Sequence, residues 1–118
     1  MIFLTANGNK IKMTVGDYGK ILPIIIKSDT PLSQDDSFKI EIFNKIRGKA
    51  IISKEYSNIK DNTIEFVLSK EESSRLNIGN YFYNLDWFQN NNFLENIIRQ
   101  EDFIIESKAG ELNNGNTN

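Results

Sequence analysis

Residues 80–88 read "NYFYNLDWF". On a two-residue repeat, Tyr81, Tyr83, Leu85 and Trp87 share one face, and Phe82, Asn84, Asp86 and Phe88 share the other. Aromatic side chains at this density favour a pleated strand, where they pack on a half-buried surface. Large rings occur on both faces. One face is therefore expected to pack a core and the other to meet a neighbouring domain or subunit.

Working outward, the same repeat recurs. In "SFKIEIFNK" (37–45), Phe38, Ile40 and Ile42 oppose Lys39 and Glu41. From Lys10 to Val15, Ile11, Met13 and Val15 oppose Lys10, Lys12 and Thr14, and in "TIEFVL" (63–68) Ile64, Phe66 and Leu68 align. Residues 1–5, 21–27 and 49–54 read as further short strands. Pro23 lacks a ladder donor and argues for an edge or a bulge in its strand. Phe93–Arg99 and Asp102–Glu106, the latter carrying Phe103 and Ile105, read as two last strands joined by "RQED". Asn7-Gly8 is a dipeptide favoured in tight hairpins, and "QNNN" (89–92) makes another turn. Ser69 with Glu72 three residues on forms a capping-box pattern for one helical turn, which Gly79 soon stops. The expected core is Ile11, Met13, Phe38, Ile40, Ile42, Ile64, Phe66, Tyr81, Tyr83, Leu85, Phe103 and Ile105.

Many short strands at close spacing, with no long crossover helices, predict an all-β sandwich or barrel rather than a parallel sheet. The 118 residues suit one domain over 1–109, with 110–118 losing periodicity as a disordered tail or linker stub. No secretory leader or membrane-length apolar run is present, so a soluble protein without membrane insertion is expected. With 14 basic against 16 acidic groups and no basic cluster beyond Lys45, Arg47 and Lys49, a nucleic-acid partner is not expected.

The chain has neither histidine nor cysteine. That removes the commonest general base, the thiol nucleophile and the usual zinc ligands. A calcium loop in "DTPLSQDDSFKIE" (29–41) would lack its central glycine, so Asp35 and Asp36 read as a solvated loop. Asp86 and Glu41 are the best acid–base pair on paper, but both sit where acidic residues are expected on a strand's polar face. The expectation is no enzyme, no metal and no cofactor. Gly16-Asp17 reads as a corner between strands: glycine reaches backbone conformations others resist, and the carboxylate bonds nearby amides. Gly79 is the other structural turn. The candidate interaction surface is Phe82, Trp87, Phe88, Asn90, Asn91 and Asn92, aromatic anchors ringed by amides. That set suits a protein contact or, alternatively, a carbohydrate platform.

The order of segments "KMTVGDYGKILPIII", "QDDSFKIEIFNK", "IGNYFYNLDW" and "NFLENIIRQEDFIIES" resembles the immunoglobulin-like N-terminal domains of tailed-phage baseplate upper proteins and related prophage tail components. Gly16, Asp17, Asp36, Phe38, Gly79, Tyr81, Tyr83 and Phe103 carry the match. The resemblance implies an immunoglobulin-like antiparallel β-sandwich of about seven to nine short strands with one short helical turn. It implies a non-catalytic connector whose partners are other phage tail or baseplate proteins, with possible homo-oligomers, in the host cytoplasm during assembly and then in the virion tail.

Overall fold

The computed structural model describes residues 4–45 and 48–108. The expected tail at 110–118, Arg47 of the small basic cluster and the first three residues lie outside them. The elements in chain order are β1 (Leu4–Ala6), β2 (Ile11–Thr14), β3 (Leu22–Ser28), β4 (Asp36–Phe43), β5 (Ile52–Ser57), β6 (Thr63–Phe66), α1 (Lys70–Ser74), β7 (Gly79–Gln89) and β8 (Asn92–Glu106). They form a three-stranded sheet, β1-β3-β6, and a five-stranded sheet, β2-β8-β7-β4-β5. The class is all-β, an immunoglobulin-like sandwich with one short helical turn.

The core lies between the two inner faces. Ile11, Phe38, Ile40, Ile42, Ile64, Phe66, Tyr81, Tyr83, Leu85, Phe103 and Ile105 are buried, while Met13 is partly covered. Immunoglobulin domains of antibodies link their sheets with a disulfide. This chain, lacking cysteine, joins them with rings: Phe66 on β6 meets Phe103 on β8 edge-on at 6.1 Å, and Phe103 meets Tyr83 on β7 at 6.1 Å. Each such pair is worth about 0.5–1.5 kcal/mol beyond its burial. The Tyr81 hydroxyl accepts a hydrogen bond from the Asn77 backbone N–H at 2.9 Å. A tyrosine near the start of this strand bonded to backbone a few residues upstream is the tyrosine corner of immunoglobulin-like sandwiches.

Four local expectations are corrected. The pairing is antiparallel except that β2 runs parallel to β8, with Ile11 opposite Phe103 and Thr14 opposite Glu106. No crossover helix is needed, because the strands lie at opposite ends of the chain and the sandwich itself connects them. Second, Asn7-Gly8 does not turn a hairpin. β1 pairs with β3 and β2 with β8, so the chain switches sheets there, with Gly8 at φ 44°. The Tyr83 hydroxyl donates to the Asn9 carbonyl at 2.7 Å and pins the crossing. Third, β3 is the central strand of its sheet, yet it holds Pro23. β1 pairs only with Ile26, Lys27 and Ser28, so at Pro23 the strand has β6 on one side only and the missing donor costs nothing. Fourth, residues 93–106 are one strand. "RQED" is not a turn: only Gln100 there has a positive φ, 52°, and the pairing with β7 shifts register nearby, which is a bulge.

At the helical end, the capping box forms as the sequence predicts, with Ser69 Oγ accepting from Glu72 N and Glu72 Oε1 accepting from Ser69 N. Glu72 also holds Lys54, the inward-facing lysine of edge strand β5, at 2.8 Å. An inward charge of this kind discourages edge-to-edge pairing with another chain. Gly16 has φ 82°, and Asp17 N donates to Thr14 O at 3.0 Å, which makes a type II turn with glycine where that turn requires positive φ.

Candidate interaction surface

The outward face of the five-stranded sheet is built by register. β4 contributes Ser37, Lys39, Glu41 and Phe43. β7 sets Phe88, Asp86, Asn84 and Phe82 directly opposite them. β5 sets Glu55 opposite Lys39. β8 sets Asn96 opposite Asp86 and Phe93 opposite Phe88.

The rings on this face are fixed by neighbours. Phe88 and Phe93 meet edge-on at 5.8 Å, and the Lys39 ammonium lies over the Phe88 ring, 5.5 Å from its centroid. Phe43 and Phe82 meet at 6.4 Å. Phe82 and Phe88 are half-buried, whereas Phe93 and Leu94 are 55% and 44% exposed. A recess of about 240 Å³ beside Phe88 is lined by Ser37, Phe38, Lys39, Glu55 and Asn91.

The polar groups form a network. The Asp86 carboxylate accepts from Asn96 Nδ2, whose Oδ1 accepts from Arg99 at 2.9 Å. Asp86 is buried. Burial pushes its carboxyl up, against the opposing pull of Asn96, Lys39 and Arg99. Asn84 Oδ1 accepts from Gln100 N at 2.7 Å and so closes the bulge in β8. Asp86 and Glu41 share this face as diagonal neighbours, with Lys39 opposite Asp86 and Asn84 opposite Glu41. Of the pair that is the best acid–base candidate on paper, Asp86 accepts a hydrogen bond from an amide. Among the described residues no group of three or more metal-binding side chains comes together.

Trp87 is the main correction to the expected surface. It points inward and is buried, and its Nε1 donates to Asp36 Oδ1 at 2.9 Å. Asp36, expected in a solvated loop, is buried as well. It also accepts from Gln89 Nε2 at 3.2 Å and from Ser33 N at 2.9 Å. Its oxygens are engaged by protein donors rather than arranged as a calcium loop. The burial of Trp87 removes the tryptophan from the carbohydrate platform. Asn90, Asn91 and Asn92 are exposed, and the first two have φ 52° and 65°, the two positive angles of a type I′ hairpin turn. They shape the hairpin tip that carries Phe93 and Leu94.

Sequence reasoning missed Lys39, Glu55, Phe93, Leu94 and Arg99 as members of one surface. The alternation around Lys39 and Glu41 marks the outer face of β4, but only the strand register shows which side chains stand beside it. Compared with family models, curated proteins and solved structures, the chain matches none.

Proposed function

We propose that the chain is a non-catalytic interaction module that joins protein components through the outer face of its five-stranded sheet. The setting is a phage or prophage tail or baseplate, assembled in the host cytoplasm and carried in the virion. One observation carries the contact: the Phe88–Phe93 pair and the exposed Leu94 sit beside an ordered set of charges on a rigid sheet face. Aromatic anchors surrounded by polar groups are what protein contacts use to exclude water. The tail setting draws its support from the resemblance in segment order. The test is protein identification in purified tail particles, for the natural chain and for a Phe93→Ser, Leu94→Ser double variant. The natural chain should be found in particles, and the double variant, folded by circular dichroism, should be depleted at least about tenfold, roughly the loss of one anchor. Absence of the natural chain from particles overturns the setting. Equal incorporation of the variant overturns the surface.

A further inference from the structure

Three charged side chains stand level across the outer face, Glu55 on β5, Lys39 on β4 and Asp86 on β7; β8 has Asn96 at this level, and Arg99, one level along β8, extends its guanidinium back to Asn96 as the fourth charge. Lys39 is directly opposite both Glu55 and Asp86, and Arg99 reaches Asp86 through Asn96. The signs alternate: minus, plus, minus, plus. Such a row is its own complement when reversed.

We propose that this face binds a second copy of the same chain, about a two-fold axis lying between the faces, parallel to the strands and midway between β4 and β7. This rests on the interaction-module reading and names the partner. Under that operation Glu55 lies opposite the second copy's Asn96 and the arginine guanidinium bonded to it, and Lys39 lies opposite its aspartate, each contact occurring twice. One level along the strands, Glu41 meets the second copy's Asn84. Beyond it, Phe43 is already buried in its own chain beside Phe82 and adds nothing to the contact. An axis perpendicular to the strands would instead set Glu55 against itself and Lys39 against itself.

Asp86 supplies an independent reason. It is a buried carboxylate on the outer face, and among the described residues its one hydrogen-bond donor is the neutral amide of Asn96. A second copy brings a lysine ammonium onto it. Lys39 and Arg99 of its own chain already act on this carboxylate through space, and a second lysine adds to that pull at a buried site where charge is costly to leave underpaired.

The matched patch spans four strands and about five residues, so it measures about 20 Å by 15 Å, roughly 300 Å² per copy. Stable complexes bury about 800 Å² per partner. The dimer is therefore weak and, being held by charge, sensitive to salt.

Glu55 and Arg99 are exposed and can be reversed without disturbing the fold. Sedimentation equilibrium on the natural chain, E55R, R99E and their equimolar mixture tests the proposal. The natural chain should dimerise, with the association constant falling at least about fivefold between about 50 mM and 500 mM salt. E55R sets arginine against arginine and R99E sets glutamate against glutamate, so each alone should weaken at least about tenfold, a loss of about 1.4 kcal/mol. Their mixture restores both pairs and should return to within about threefold of the natural chain. A natural chain that stays monomeric at every concentration, variants that dimerise normally, or a mixture that does not recover would each overturn it. Particle incorporation with a monomeric chain would sink this inference alone, while a dimer absent from particles would sink only the tail setting.

Discussion

Trp87 and Asp36 meet side chain to side chain across the β4–β7 pair: the indole N–H donates to the carboxylate at 2.9 Å, and both residues are buried. Asp36 therefore acts as a clasp between the loop before β4 and the end of β7. Replacing it with alanine strands four donors, Trp87 Nε1, Gln89 Nε2 and the amide and hydroxyl of Ser33, and should cost about 2–4 kcal/mol. Asparagine, which keeps one acceptor oxygen, should lose about half as much. Urea unfolding followed through the fluorescence of the single tryptophan gives both values. An unchanged midpoint for D36A would show that the clasp contributes nothing.

The Tyr56 hydroxyl is buried without a hydrogen-bond partner among the described residues. Its removal by Tyr56→Phe should stabilise the fold by about 1 kcal/mol, because the desolvation of an unpaired polar group disappears. Burial, with Glu72 nearby, also pushes this phenol from 10.0 to about 12, and burial with Glu101 does the same to Tyr83. A raised value in the folded state means that the neutral phenol is favoured by folding. This stability is complete below pH 10 and is lost as pH rises toward 12. Y56F should show a shallower alkaline decline than the natural chain in denaturant midpoints taken across that range. Identical declines would contradict the assignment.

Glu72 serves two partners at once, the Ser69 amide and the Lys54 ammonium. Burial pushes its carboxyl up, but the bonds from Lys54 and Ser69 outweigh burial and hold it below the usual value. A depressed carboxyl contributes stability above the ordinary glutamate range, and that contribution fades as pH falls through the folded value. Lys54→Met should raise the Glu72 titration midpoint, readable by NMR of the side-chain carboxyl, and should flatten the acid limb of the stability profile. A Glu72 midpoint unmoved by K54M would refute the coupling.

Asn91 holds φ 65° in the hairpin turn. Glycine adopts this conformation freely, so Asn91→Gly should be neutral or slightly stabilising, whereas a β-branched Asn91→Val should cost about 1–2 kcal/mol. Thermal unfolding of the two variants separates these outcomes. Equal melting temperatures would mean that the turn relaxes to another type.

The strands around Phe38–Ile42 and Tyr81–Trp87 were legible because one buried face imposes a two-residue repeat on the sequence. The helical turn was legible because Ser69 and Glu72 recognise each other locally. The sheet switch at Asn7-Gly8 was not, because the left-handed angle that Gly8 supplies serves a hairpin and a crossing equally well. The inward turn of Trp87 was also hidden. Its indole needed an acceptor, and Asp36 lies far away in the chain. For the same reason the charge row could not be read: Lys39 is next to Glu55 and Asp86 only after β4 has found both neighbours. The bulge at Gln100 depends on Asn84 across the hairpin rather than on anything in "RQED" itself.

The parallel seam between β2 and β8 has a mechanical consequence. One strand enters from the amino-terminal side and the other leaves toward the carboxyl terminus at the opposite end of the seam. Tension drawn through the two ends of the chain would slide these strands past each other, loading their bonds simultaneously instead of opening them one by one. A link in a stretched assembly built this way resists pulling through shear.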